Sequence, residues 1–136
     1  MIKKFDHIAM AVTNTDEAVA SFSKLFGFEV KEMNDEPAAG FKSTMISKGE
    51  ISIELIQPSA PDSMIQKFIE KRGGGLHHVS VQVDDLQAEM TRLKGLGVQF
   101  LSGEPAVVNG CRVIFIHPRS ASGLLIELNQ RNSPAS

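Results

Sequence analysis

Two histidines and two glutamates recur at matching places in this chain of 136 residues. His7 begins the stretch HIAMAV, and His78 begins HVSVQV, 71 residues later. Glu54 lies in ISIEL, and Glu127 lies in LLIEL, 73 residues later. Two imidazoles and two carboxylates, with water in the remaining positions, suit a six-coordinate Co, Ni, Zn, Mn or Fe ion. The pattern predicts an open divalent metal site rather than a closed structural zinc site, which prefers thiolates.

The faces of the predicted strands favour the same four residues. Adjacent strand residues point to opposite faces, so His78 shares a face with Ser80 and Gln82, whereas alternating valines form the other face. His77 therefore points away from His78 and is predicted to be structural. Each glutamate lies among Ile and Leu, where an unpaired carboxylate is unfavourable unless it gains a basic partner, a proton or a metal.

The elements that position these residues occur twice in the same order. Apolar spacing and alternation predict β-α-β-β-β in each half. The first repeat covers about 5–58, a helix at 61–73 links the halves, and the second repeat covers about 76–130, within a single domain at 1–136. Two copies are too few for a solenoid, so the predicted fold is α+β, with two βαβββ modules paired by a pseudo-twofold axis.

Several local boundaries follow from turn and strand residues. A short strand is expected at 28–33, followed by a loop at 34–40 because Asn, Asp, Pro and Gly cluster there. In the second half, a strand is expected at 98–102 and a loop at 103–110. The polar residues 131–136 are expected to form a frayed tail.

The composition narrows the classes of partner. The formal net charge is −2, and the basic residues are scattered, so neither nucleic acid nor a membrane surface is an expected partner. The N-terminal stretch has no long apolar segment typical of a signal peptide. The single cysteine excludes an intrachain disulfide and fits a reducing compartment. These features predict a cytoplasmic domain that handles a small molecule.

Four segments together resemble the vicinal oxygen chelate superfamily, which has the glyoxalase and bleomycin-resistance fold. They are DHIAMAV, IELIQP, GGGLHHVSVQVDD and HPRSASGLLIEL. The resemblance covers about residues 5–130 and is strongest to the methylmalonyl-CoA epimerase branch. It implies that the two modules form a sheet cup, that the chain is a homodimer, and that the cup holds a divalent metal. The implied metal ligands are His7, Glu54, His78 and Glu127.

One loop departs from that branch. The stretch EPAAG places Ala38 where the branch carries a glutamate that is one of two acid/base groups. Glu36 lies two residues earlier and is the candidate to replace it. The alternative is that this chain lacks the two-base machinery.

The chemistry that the resemblance implies is proton abstraction next to a carbonyl group. Glu127 is the first candidate for the base, and either Glu36 or Glu54 would act on the opposite face during epimerisation. Arg119 and Ser120 are the candidates to bind the substrate, and Arg119 would contact its carboxylate or a phosphate, since arginine suits bidentate contacts. A solvated turn is the alternative interpretation of that segment.

Three functions stay open on the sequence alone. The first is an epimerase of an acyl-CoA such as methylmalonyl-CoA. The second is a lactoylglutathione lyase of the glyoxalase I type, whose expected substrate is a glutathione adduct, or a related isomerase or lyase. The third is a small-molecule binder without enzymatic activity, which the complete set of metal ligands makes the least favoured.

Overall fold

The computed structural model describes residues 1–131, so the predicted polar tail lies outside the described residues apart from Arg131. Within that range the chain alternates strands and helices in the predicted order. The elements are β1 (Ile2–Ala11), α1 (Thr15–Phe26), β2 (Glu29–Glu36), β3 (Phe41–Lys48), β4 (Ile51–Pro58), α2 (Met64–Arg72), β5 (Gly75–Val83), α3 (Leu86–Gly95), β6 (Ala106–Val108), β7 (Cys111–Ile116), a 3-10 turn (Pro118–Ser120) and β8 (Ile126–Arg131).

The chain divides into two compact units. The first unit comprises His7–His77, and the second unit comprises Met1–Asp6 together with His78–Arg131. Strand β1 begins in the second unit and continues into the first. Each half of the chain has the order β-α-β-β-β, which confirms the predicted α+β class and the two βαβββ modules.

In the first unit the strands follow the order β2-β3-β4-β1. Strand β1 runs parallel to β4 and places Ala9 opposite Glu54, whereas β3 is antiparallel to both β2 and β4. Helix α1 packs on one face, against Ile46, Ile53 and Leu55. Helix α2 packs on the opposite face, where its apolar side chains meet Ala9, Ala11 and Ile56. The face that carries Glu54 is therefore the one that α1 leaves uncovered.

In the second unit the strands β5-β8-β7-β6 repeat this arrangement. Strand β5 runs parallel to β8 and places Ser80 opposite Glu127, whereas β7 is antiparallel to β8 and β6. Helix α3 buries Leu86 and Met90 against the valine face of β5 and against Leu128. As in the first unit, the helix covers the face that does not carry the glutamate.

Two stretches form strands where loops are expected. Strand β2 extends to Glu36, because ladder pairing with β3 continues to Phe41. Strand β6 lies inside the predicted loop at 103–110 because Asn109 and Gly110 both have positive φ, 53° and 78°, as a two-residue hairpin turn requires. The strand predicted at 98–102 is reduced to a single bridge between Phe100 and Ile116.

None of the helices formed by residues 1–131 combines the length and the apolar character needed to cross a bilayer.

Candidate metal centre

The first unit holds one histidine–glutamate pair on adjacent parallel strands. His7 lies on β1 and Glu54 on β4, with 3.4 Å between Nε2 of the histidine and Oε1 of the glutamate. Ser43 on β3 donates a hydrogen bond of 2.7 Å to the other oxygen, Oε2 of Glu54. The hydroxyl therefore fixes one carboxylate oxygen while the second oxygen faces the imidazole.

The second unit holds the matching pair. His78 lies on β5 and is buried, and its Nε2 is 4.0 Å from Oε1 of Glu127 on β8. The ring of His78 is perpendicular to that of Phe115 on β7, with 5.2 Å between their centroids. Ser80 donates a hydrogen bond of 2.7 Å to Oε1 of Glu127. Packing and hydrogen bonding therefore restrict both members of this pair.

The geometry within each pair fits two ligands of one metal ion. Nitrogen and oxygen ligands each about 2.1 Å from an ion lie roughly 3 to 4 Å apart, depending on the angle between them. The separations of 3.4 Å and 4.0 Å fall within that range. In residue type, His7, Glu54 and His78 form a set that fits a divalent cation. The donor sets thus agree with the predicted divalent metal site.

Glu36 ends β2 on the same face of the first unit as Glu54. It lies opposite Phe41, which shares its face of β3 with Ser43, the hydrogen-bond donor to Glu54. Among residues 1–131, its Oε1 is a buried oxygen for which no hydrogen-bond partner is found. A carboxylate oxygen held away from water without such a partner is energetically unfavourable, and this makes Glu36 a candidate functional group.

Arg119 and Ser120 lie in the 3-10 turn between β7 and β8. The backbone N–H of Arg119 donates to Nδ1 of His117 at 3.0 Å, and the Ser120 hydroxyl accepts a hydrogen bond of 2.9 Å from the backbone N–H of Gln99. Both residues are exposed. Ser120 therefore holds the turn in place, and the guanidinium of Arg119 extends from it.

His77 packs on α2, in agreement with the structural role predicted for it. Its ring lies edge-on to Phe68, with 4.8 Å between the centroids. Burial lowers the pKa of His77, although the negative charge of Glu54 opposes that shift. The two neighbouring histidines therefore have different surroundings.

Sequence reasoning missed three polar residues that support the glutamates. Ser43 and Ser80 donate to Glu54 and Glu127, and Asn129 donates through Nδ2 to the hydroxyl of Ser80 at 2.7 Å. Strand alternation places Ser80 on the face of His78, and Asn129 on the face of Glu127. That alternation was the available signal, but serine and asparagine have too many structural roles to be singled out by type.

Residues 6–115 match the Glyoxalase/Bleomycin resistance protein/Dioxygenase superfamily. The chain therefore belongs to this superfamily, which confirms the resemblance seen in its sequence.

Within the superfamily, similar proteins include epimerases of methylmalonyl-CoA. The ethylmalonyl-CoA/methylmalonyl-CoA epimerase of Cereibacter sphaeroides is 38% identical over 133 residues, which cover 96% of this chain and 99% of that protein. The mitochondrial methylmalonyl-CoA epimerase of Homo sapiens is 33% identical over 129 residues, covering 93% and 73% of the two chains.

Solved structures agree with these sequence relationships. A methylmalonyl-CoA epimerase in complex with methylmalonyl-CoA and NH4+ aligns with a TM-score of 0.88 and 27% identity, over 98% of this chain and 97% of that one. The chain is thus an enzyme of this superfamily that is similar to methylmalonyl-CoA epimerase in sequence and fold.

Proposed function

We propose that this protein is a divalent-metal-dependent epimerase that inverts the carbon next to the thioester carbonyl of an acyl-CoA such as methylmalonyl-CoA. The observation that carries the proposal is the histidine–glutamate pair that recurs in each unit of a chain similar to such epimerases. Ionisation of that carbon–hydrogen bond requires a base and stabilisation of the resulting enolate.

In this proposal one ion takes its ligands from His7, Glu54, His78 and Glu127, as pseudo-twofold pairing of the two modules predicts. Lewis-acid polarisation of the carbonyl oxygen is the chemistry that such an ion supplies when bound. Cobalt, nickel, zinc, manganese and iron all suit two imidazoles and two carboxylates.

Epimerisation needs one acid/base group on each side of the reacting carbon. Glu127 takes the proton from one epimer, and Glu36 gives a proton to the opposite side. Glu36 is a better second group than Glu54, because Ser43 and His7 engage the two oxygens of Glu54, whereas Oε1 of Glu36 is buried with no hydrogen-bond partner in the described range. Glu36 thereby replaces the carboxylate that Ala38 cannot supply.

The exposed guanidinium of Arg119 is proposed to bind an anionic group of the substrate, either its carboxylate or a phosphate of coenzyme A. Ser120 contributes by holding the turn through its bond from Gln99.

We propose that the protein is a cytoplasmic homodimer, supported by the single cysteine and by the superfamily resemblance. The molar mass from light scattering during size-exclusion chromatography tests the dimer.

Exchange in deuterated water tests the proposed reaction. One epimer of methylmalonyl-CoA is incubated with protein loaded separately with each of the five metals. We expect metal-dependent deuterium incorporation at the α-carbon together with appearance of the other epimer, followed by mass spectrometry and chiral analysis. Absence of both signals with every metal would overturn the proposal.

Removal of the metal is expected to abolish turnover without unfolding the chain. Dialysis against a chelator removes the ion, and the released metal is quantified by mass spectrometry. We expect activity to return on addition of one of the five ions, and the melting temperature to rise because an ion that binds only the folded state stabilises it. Full activity in the chelated protein would contradict metal dependence.

The variant Glu36→Gln tests the second acid/base group. Loss of one general acid or base lowers the rate by about 100- to 10,000-fold, so epimerisation should fall to that extent. Exchange of the α-proton of one epimer should persist, because Glu127 remains in place.

Glu32→Gln is the matched control, because Glu32 lies on the same face of β2 and is exposed. It should epimerise like the wild type. Undiminished epimerisation in Glu36→Gln would exclude Glu36 as the second group.

A lactoylglutathione lyase activity is the second candidate function, and Ala38 is the observation that favours it. Isomerisation between neighbouring carbons does not need a group on the opposite face. Turnover of the hemithioacetal of glutathione and methylglyoxal, with no exchange of methylmalonyl-CoA, would favour this alternative.

A further inference from the structure

Glu127 receives a hydrogen-bonded chain that runs through two other side chains. The amide Nδ2 of Asn129 donates to Oγ of Ser80, and the hydroxyl of Ser80 donates to Oε1 of Glu127, both at 2.7 Å. Ser80 is completely buried, and Asn129 is 4% exposed. All three residues lie on one face of the adjacent parallel strands β5 and β8.

The chemistry of the three groups sets the direction of the chain. An ionised carboxylate only accepts hydrogen bonds, so the single hydroxyl proton of Ser80 points to Glu127. The oxygen of Ser80 then accepts from an N–H of Asn129, which fixes the amide orientation. This leaves Oδ1 of Asn129 buried, with no hydrogen-bond partner found in the part of the chain that the structure describes.

The buried Oδ1 of Asn129 indicates that Ser80 and Asn129 do more than stabilise the fold. A buried acceptor without a partner destabilises a fold, whereas replacing a polar pair with apolar groups of the same shape is nearly neutral or stabilising. In the first unit, apolar residues occupy the positions equivalent to Ser80 and Asn129. Ala9 lies opposite Glu54, and Ile56 follows it by two residues on the same face of β4.

We propose that Ser80 and Asn129 are positioning residues that hold the carboxylate of Glu127 in the orientation needed for proton transfer. Fixing Oε1 through the Ser80 hydroxyl sets the rotation of the carboxylate, and this sets the direction of Oε2. The inference rests on the proposed function, because it assigns Glu127 as one of the two acid/base groups.

The double variant Ser80→Ala, Asn129→Leu tests the role, because it removes both polar groups together and leaves no buried donor without a partner. We expect a melting temperature close to that of the wild type, because removal of the buried Oδ1 of Asn129 offsets loss of the hydrogen bond to Glu127. We also expect kcat to fall by about 10- to 100-fold with KM within a factor of about two, since a small misplacement of a catalytic group can reduce the rate about 100-fold.

Two further variants separate positioning from general packing. Ser80→Thr keeps the hydroxyl and should retain most of kcat. Thr44→Val removes a buried hydroxyl from the helix-facing side of β3 and should keep both kcat and KM. A crystal structure of the double variant should show Glu127 in more than one side-chain conformation.

The outcomes distinguish this inference from the proposed function. Unchanged kcat in the folded double variant, or a single wild-type conformation of Glu127, would overturn the positioning role. A melting temperature that falls in parallel with activity, with no rescue by Ser80→Thr, would assign a purely structural role. An inactive wild-type enzyme would instead overturn the proposed function, and the conformation of Glu127 in the crystal would still decide whether the two residues hold it.

Discussion

Glu89 is a buried carboxylate of α3 that two cations share. Arg92, one turn later, donates to its Oε1 at 2.8 Å, and the ammonium group of Met1 lies 2.8 Å from its Oε2. Met1 also contacts Asp84 at 2.7 Å. These contacts tie the start of β1 to α3 within the second unit, and they make the stability of that unit dependent on pH.

Both pKa shifts in this cluster have a definite sign. The hydrogen bond from Arg92, followed by that from Met1, lowers the pKa of Glu89 below its ordinary value of 4.5. Hydrogen bonds to Asp84 and Glu89 raise the pKa of the Met1 ammonium above its ordinary value of 8.0. The contribution of Glu89 to the free energy of unfolding is complete above pH 4.5 and is lost as the pH falls through its lowered pKa. The contribution of the Met1 ammonium is complete below pH 8.0 and is lost as the pH rises through its raised pKa.

We therefore expect Glu89→Gln to reduce the dependence of the unfolding free energy on pH at both ends of the range. Glu50→Gln, at the exposed turn between β3 and β4, should leave that dependence unchanged. Urea denaturation at several values between about pH 3 and pH 10 measures the effect. Identical profiles for Glu89→Gln and the wild type would contradict the assignment.

At the residue scale, repetition in the sequence singles out candidate ligands but not the side chains that hydrogen-bond to them. Repetition of His7 and Glu54 as His78 and Glu127 singled out four residues, because equivalent positions in two repeats reinforce each other. Ser80 has no such counterpart, since Ala9 occupies the equivalent position. A support that occurs in only one repeat cannot be found from the repetition.

The turn between β2 and β3 begins directly after Glu36, whose backbone carbonyl accepts from the N–H groups of Ala39 and Gly40. It ends at Gly40, where φ is +80° and a Cβ atom would lie 2.7 Å from Cβ of Ser63. Ser63 caps α2 by accepting from the backbone N–H of Gln66. Gly40 therefore allows close contact between the turn and the beginning of α2.

Gly40→Ala is expected to be more destabilising than Gly49→Ala. Both positions have positive φ, which gives an alanine a strain of about 1 kcal/mol or somewhat more. Only Gly40 adds a steric clash, because a Cβ atom at Gly49 meets nothing within 4 Å. Urea denaturation gives both losses, and equal values would contradict the role of the contact with Ser63.

At the element scale, apolar patterns predict the central elements better than the edges of the sheets. Alternation identified β4, β5 and β8 because one face of each packs against a helix and the other carries a candidate ligand. Strand β6 has three residues, two of them exposed, so burial leaves little signal in its sequence. Its better signal was the turn pair Asn109–Gly110, which favours a two-residue hairpin.

At the scale of the whole molecule, each unit has its own apolar core. Leu55 is fully buried in the first unit, and Leu86 is fully buried in the second. Strand β1 supplies residues to both units, it packs in the first core through Ala9 and Ala11, and Met1 just before it contacts Glu89 of the second unit, so unfolding of either unit disrupts this shared strand. We infer that the chain unfolds in a single transition.

Leu55→Ala and Leu86→Ala should each reduce the unfolding free energy by about 2 to 5 kcal/mol. Val107→Ala is the control, because Val107 is 73% exposed, and it should change stability by only about 0.5 kcal/mol. Calorimetry and circular dichroism should report one coincident transition in all three variants. Two separate transitions in either leucine variant would show that the units unfold independently.

The positions of Ser43 and Ser80 bear on how the two repeats diverged. Ser43 reaches Glu54 from β3, where the second repeat has Val113, whereas Ser80 reaches Glu127 from β5, where the first repeat has Ala9. Neither serine has a counterpart in the other repeat. If the two halves descend from one duplicated gene, each serine was acquired or retained by one copy alone, and the duplication allowed the two glutamates to diverge in their supports.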